Sequence, residues 1–187
     1  RQRQMCIRDS PNPEYNLSDM AQDAAALLEV LNIKKAHIIG ASMGGMITQI
    51  IALDHPEKVL TITPIMTSPG MQNDSLSGPT EELLEAYKKS FVHNVRGRIE
   101  DGVVEIYRQL TGSRFPFDEQ KFRDKLKPVI SHGNNPFALH VDAVGASPDR
   151  TSRLNEIKVP ALIIHGTEDA ILPCLLYTSD AADDSYR

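Results

Sequence analysis

Apolar residues along this chain fall into three short runs and several stripes with helical spacing. The runs are Ala36-His37-Ile38-Ile39, Val59 to Met66, and Val159 to His165. Near-continuous apolar runs separated by helical stretches predict the strands of a parallel sheet covered on both faces. Ahead of the first run, Met20, Ala24, Leu27, Leu28 and Leu31 recur at i, i+4, i+7, i+8 and i+11. That spacing predicts one helical stripe facing the sheet. Ser18 suits its N-cap, Asp19 sits where the helix dipole favours a negative charge, and Asn32 closes it. After the first run, Gly45 to Leu53 has helical length and is closed by His55-Pro56.

Between the second and third runs lies a long excursion, roughly Ser68 to Leu154. It opens with Pro69-Gly70 and a polar loop, Gln72 to Gly78. Pro79-Thr80 then starts a charged helix through Phe91. A second helix is expected over Arg98 to Leu110, and a third over Phe117 to Leu126, stopped by Pro128. Asn135-Pro136 supplies an N-cap and an N1 proline for a fourth, Phe137 to Val144. An insertion of this length is not expected to be structureless. It reads as a helical cap over the strand ends, where open α/β sheets bind ligands. Residues 11–68 form the first part of the core, 69–153 the cap, and 154–173 the second part of the core.

One motif changes this from a fold outline to a chemical proposal. Gly40-Ala41-Ser42-Met43-Gly44 reads G-x-S-x-G, with a strand before it and a helix after it. That context makes the pattern a nucleophile elbow. A tight turn forces the serine into a strained backbone conformation and brings strand and helix together. Side chains at Gly40 and Gly44 are expected to clash there. The Ser42 hydroxyl then stands clear of the sheet, and the N–H of Met43 can face a developing oxyanion.

The chain has 187 residues, and its two ends look foreign to it. Residues 1–10 read RQRQMCIRDS and residues 174–183 read CLLYTSDAAD. Back-translated, the two are one DNA element in opposite orientations, resembling the transposase adaptor of sequencing libraries. Residues 1–10 and 174–187 are therefore expected to be adaptor-derived, and the remainder to be the middle of a longer protein. Both cysteines, Cys6 and Cys174, lie in those ends, so no disulfide framework or thiolate metal site is expected. The ends carry four of the 20 basic and four of the 25 acidic residues, so the net charge of −5 belongs to the remainder. Mild acidity argues against a nucleic-acid or anionic-membrane partner. No apolar run approaches the length of a membrane span. The expected compartment is the cytoplasm, with secretion left open.

A serine nucleophile needs a base, and the base needs an acid to orient it. In folds with this elbow the chain order is serine, acid, histidine. The third run leads into His165-Gly166-Thr167-Glu168-Asp169, which puts Asp169 in a loop at a strand's carboxyl end. Glu168 competes for the acid role, but its neighbouring position should point it elsewhere.

The segments YNLSDMAQDAAALLEVLNIKKAHIIGASMGGM, HPEKVLTITPIMTS and VPALIIHGTEDAILP resemble α/β-hydrolases. Within that superfamily, with GSRFPFDE and SPDRTSRL, the chain is similar to aclacinomycin methylesterase-like small-ester hydrolases. The resemblance implies a partial α/β-hydrolase fold, with about three parallel strands, flanking helices and a helical cap. It also implies Ser42 as nucleophile, Asp169 as triad acid, Met43 N–H as one oxyanion donor, and no cofactor or metal. Two family parts have no counterpart here: the histidine, expected some tens of residues after Asp169, and a second oxyanion donor, expected upstream of Pro11. Of the histidines present, His37, His55 and His165 lie at element boundaries, and His93, His132 and His140 lie in the cap. None is expected to be the triad base.

The leading expectation is a carboxylic ester hydrolase that forms an acyl-enzyme on a small-molecule ester, with no obligate protein partner. Acyl transfer is the alternative: some homoserine acetyltransferases share a run like Gly40 to Met46. Lactone and carbon–carbon bond hydrolysis fit the same residues. A non-catalytic ligand-binding protein of the same fold is a further alternative. The chain as written is expected to be inactive, because it lacks its base. With both sheet edges open it is also expected to be poorly stable.

Overall fold

A computed structural model describes residues 15–70, 78–131 and 137–173. The ends expected to be adaptor-derived, His132, the expected Asn135-Pro136 cap and most of the Gln72 to Gly78 loop lie outside these residues. The chain divides into two compact units. The first holds the described residues up to 70 and those from 137 to 165; the second holds 78–131 and 166–173.

In the first unit, helix α1 (Leu17–Val30) precedes strand β1 (Ala36–Ala41), helix α2 (Met43–Asp54) and strand β2 (Val59–Ile65). The start of α1 differs from the expectation. Its N-cap is Asn16, not Ser18. The Asn16 side-chain Oδ1 accepts from the Ser18 backbone N–H at 2.7 Å, while the Asp19 carboxylate accepts from the Asn16 backbone N–H at 2.9 Å. This reciprocal capping box satisfies donors on both sides of the helix start. Starting two residues earlier also places Leu17 in the first turn, where it is fully buried. Burial of a leucine contributes about 2 kcal/mol. Asn32 does close the helix: at φ +56° it lets Ile33 N–H reach Leu28 O and its own N–H reach Glu29 O, a Schellman pair.

The buried face of α1 is rotated from the expected stripe. Leu17, Ala21 and Ala25 are buried, while Leu27 and Leu31 are 57% and 56% exposed. Met20 and Ala24 pack at the margin of the core made by Leu17, Ala21, Met46, Ile50, Ile51, Ala52, Val59 and Ile62.

β1 and β2 are parallel, with Ile38 opposite Ile62 and Gly40 opposite Pro64. The third run joins the other edge of β2 through two parallel bridges, Ile62 to Ala161 and Ile65 to Ile164. Four backbone bonds of 2.8–3.1 Å stitch that edge. The sheet is not covered on both faces by the described residues. Ile38 faces the core, but its neighbour Ile39 is 68% exposed, as are Leu162 and Ile163 in large part. Continuous apolar runs show that both faces are apolar; α2 covers one.

Helix α6 (Phe137–Gly145) belongs to this unit. The segment after it is tied into the core by polar groups. Ser147 Oγ accepts from Leu17 N–H at 3.0 Å and donates to Ala143 O at 2.7 Å. Arg150 is buried; its amide donates to Pro69 O at 3.0 Å and its Nε reaches Gln49 Oε1 on α2 at 3.4 Å. Burial pushes the Arg150 guanidinium below its ordinary pKa, and Asp149 opposes that shift.

The second unit contains α3 (Glu81–Val95), α4 (Ile99–Leu110) and α5 (Glu119–Ser131). Thr80 caps α3 through Leu83 N–H at 3.3 Å. Pro128 does not stop α5; it lies inside it. A proline there removes the backbone donor that would bond the Asp124 carbonyl and crowds that carbonyl, so α5 runs on to Ser131 at a local cost. Arg123 joins α5 to α4, bonding Glu119 at 2.8 Å, Glu100 at 3.0 Å and Asp101 at 2.9 Å. Tyr107 and Phe122 stack across the same contact with centroids 4.7 Å apart. Among the described residues no helix is long and apolar enough to cross a membrane.

Candidate active site

Ser42 links the last residue of β1 to the first of α2, with φ +53° and ψ −121°. A non-glycine residue there is strained and persists only where its surroundings over-determine it. They do so here. The Ser42 amide donates to Ile65 O on the neighbouring strand at 2.9 Å. The Ser42 carbonyl accepts from Gly45 N–H at 2.8 Å, Met46 N–H at 3.2 Å and the Thr67 hydroxyl at 2.8 Å. Both peptide groups of the serine are thereby fixed, and the residue itself is exposed.

The glycines divide the work differently from the expectation. A Cβ on Gly40 would overlap the carbonyl of Gly44 and lie 2.8 Å from the Gly45 nitrogen. Gly40 therefore allows strand and helix to meet. A Cβ on Gly44 would have nothing within 4 Å, so the clash expected there is absent. The second tight position is Gly45, where a Cβ would lie 2.6 Å from Thr67 Cγ2. Sequence reading missed both Gly45 and Thr67. The Gly44-Gly45 pair was a signal for the first. Thr67 carries none, because only the pairing of β1 with β2 brings it to the elbow.

Met43 is the first residue of α2, and the first amides to bond back to Ser42 O are those of Gly45 and Met46. Met43 N–H thus stands among the leading donors that helix geometry leaves without an intrahelical partner, at the positive end of the helix dipole. That is the chemistry an oxyanion needs.

Asp169 belongs to the second unit, so it and Ser42 are described in their own surroundings. It lies in the loop that follows the third run. Its Oδ1 accepts from Ile171 N–H at 2.9 Å and Leu172 N–H at 3.0 Å. Next to it, Glu168 is bound elsewhere: its carboxylate accepts from the Ser113 amide and from the Ser113 hydroxyl at 2.6 Å. Those bonds hold the Glu168 carboxyl below its ordinary pKa. The neighbouring carboxylates therefore have separate partners.

Among the histidines, His37 Nδ1 lies 2.9 Å from Thr61 Oγ1 across the β1–β2 pair. His55 terminates α2, His93 lies in the last turn of α3, His140 lies on α6, and His165 ends the third run.

A family model for the alpha/beta hydrolase fold matches residues 2–180. The chain belongs to the α/β-hydrolase family. Among relatives, it is 29% identical over 182 residues to rhodomycin D methylesterase of Streptomyces sp. (strain C5), covering 85% of this chain and 59% of that one. It is also 29% identical over 160 residues to the 2-hydroxy-6-oxononadienedioate/2-hydroxy-6-oxononatrienedioate hydrolase of Burkholderia vietnamiensis, covering 82% and 52%. Among solved structures, an esterase from Rhodococcus sp. ECU1013 superposes with a TM-score of 0.67 at 17% identity, covering 88% and 60%. The chain thus spans between half and three fifths of the length of these two relatives.

Proposed function

We propose that the protein carrying this chain is a carboxylic ester hydrolase with Ser42 as its nucleophile. The observation that carries the reading is the left-handed Ser42 held between β1 and α2, its carbonyl and amide both bonded and its side chain exposed. Ser42 Oγ attacks the ester carbonyl carbon while a histidine base takes the hydroxyl proton. Met43 N–H stabilises the oxyanion. The intermediate collapses to an acyl-enzyme and expels the alcohol, which takes the proton from the histidine. Water, activated by the same histidine, then attacks the acyl carbon and releases the acid. Asp169 orients that histidine.

The methylesterase relative supports the ester reading. The 2-hydroxy-6-oxononadienedioate hydrolase relative, at the same identity, supports a second reading in which Ser42 acts on an oxo-dicarboxylate. A fluorophosphonate probe on the full-length protein tests the shared step. A phosphonyl adduct on Ser42, absent in Ser42→Ala, is expected. Turnover of a small ester that survives Ser42→Ala would overturn the reading. Comparison of a methyl ester with 2-hydroxy-6-oxononadienedioate then separates the two substrate classes.

A further inference from the structure

We propose that Thr67 is a positioning residue for the Ser42 nucleophile, fixing the strained elbow from the neighbouring strand. This inference rests on the nucleophile reading of Ser42 and adds a residue to it. Thr67 is buried and directly follows Met66, which leaves β2 at φ +42°. Ser42 and Met66 are thus two non-glycine residues at positive φ, one just beyond β1 and one just beyond the adjoining β2. The Met66 amide is anchored to Ile164 O at 2.8 Å, so the kink is held by the third run. The kink turns the Thr67 side chain onto the elbow, where its two branches act separately. The hydroxyl donates to Ser42 O at 2.8 Å, and the Cβ and Cγ2 occupy the space that a side chain at Gly45 would need.

The physical consequence concerns ψ of Ser42. Two of the three donors on the Ser42 carbonyl, Gly45 and Met46, belong to the helix that follows and would move with it. Among the described residues, only Thr67 donates to that carbonyl from outside that helix. It therefore ties the serine's carbonyl, and with it the direction of the helix N-terminus and of Met43 N–H, to the sheet. A carbonyl with that tether removed can rotate toward an unstrained conformation, and the hydroxyl then leaves its attack position. Small displacements of a reacting group carry large rate effects.

The experiment is steady-state kinetics and fluorophosphonate labelling of the full-length protein with Thr67→Val, Thr67→Ser and Ser42→Ala. Valine keeps the shape and removes the hydroxyl; serine keeps the hydroxyl and removes the methyl. The expected result for Thr67→Val is a fall of about tenfold in kcat and in the Ser42 phosphonylation rate, with KM within about twofold. Thr67→Ser is expected to recover most of that rate. A purely structural role would lower the melting temperature while leaving kcat per labelled site unchanged, and that outcome overturns the proposal. So does Thr67→Ser as slow as Thr67→Val. Where valine prevents folding, Thr67→Ala removes the same hydroxyl without placing a methyl against the carbonyl, and the same kinetic criteria apply. Should Ser42→Ala retain wild-type turnover, the nucleophile reading itself fails and this proposal falls with it. Loss of turnover in Ser42→Ala beside a normal Thr67→Val overturns the positioning role alone.

Discussion

Ser42 and Asp169 are both fixed by backbone hydrogen bonds, but the partners come from different distances along the chain. Ser42 is bonded by Ile65 at the end of the next strand and Thr67 just beyond it, more than twenty residues away, as well as by its own helix. Asp169 accepts from Ile171 and Leu172, two and three residues on. An Asx-type turn of this kind forms from local sequence and tolerates changes elsewhere. A residue held at φ +53° does not; its strain is balanced by remote contacts, and losing any of them releases it. The elbow should therefore be sensitive to substitutions far from it in sequence, and the acid loop mainly to its own residues.

The largest expected effect separates charge from turn geometry at Asp169. Asp169→Asn keeps an oxygen acceptor for both loop amides and removes the carboxylate. If Asp169 orients the histidine, kcat of the full-length protein should fall on the order of 10⁴-fold, with little change in thermal midpoint. Glu168→Gln, whose partner is Ser113, should leave kcat within about twofold. Equal losses in the two variants would remove Asp169 from the triad.

Next in size is the packing of the elbow itself. Gly40→Ala drives a methyl into the Gly44 carbonyl and the Gly45 nitrogen. Both are backbone atoms that cannot swing aside, so the cost should reach about 3 kcal/mol or more. Urea unfolding of the variant against the parent measures it. A loss below about 1 kcal/mol would mean that strand and helix are free to part there.

The elbow was legible in the sequence because its parts are contiguous: an apolar run, a glycine-flanked serine and a helix. The loop that carries Asp169 was legible because it follows a strand-like run directly. What was not legible depended on packing. Periodicity showed that α1 is amphipathic but not which residues meet the core, so Leu27 and Leu31 were misplaced while Leu17 and Ala25 went unnoticed. Ser18 looked like the cap because Asn16 closes a box only once Asp19 turns back to it. Thr67 had no local signal, since its role exists only after β2 pairs with β1. Pro128 looked like a stop because an interior proline usually breaks a helix, whereas α5 continues past it to Ser131.

A smaller effect tests the separation of Glu168 from the site. Its folded pKa is depressed by the Ser113 hydroxyl first and the Ser113 amide second. The contact is therefore present above the ordinary glutamate value of 4.5 and is lost as pH falls through the lower folded value. An NMR titration of the Ser113 amide should show its midpoint below 4.5. A midpoint at or above that value would mean that Glu168 is not committed to Ser113.

The smallest effect is the most discriminating for the elbow. Gly44 occupies the second position of α2, and a Cβ there meets nothing within 4 Å. Alanine is favoured over glycine in a helix by about 0.8–1 kcal/mol, less near an end. Gly44→Ala should therefore leave stability unchanged or raise it by about 0.5 kcal/mol, against the large loss at Gly40. The two glycines flank the same serine at equal distance in the motif, so sequence pattern alone predicts equal penalties. Urea midpoints for the pair, measured side by side, decide between the pattern and the geometry. A loss at Gly44 comparable to that at Gly40 would mean that both flanks of Ser42 are closed by backbone contact, and would restore the symmetric reading of the motif.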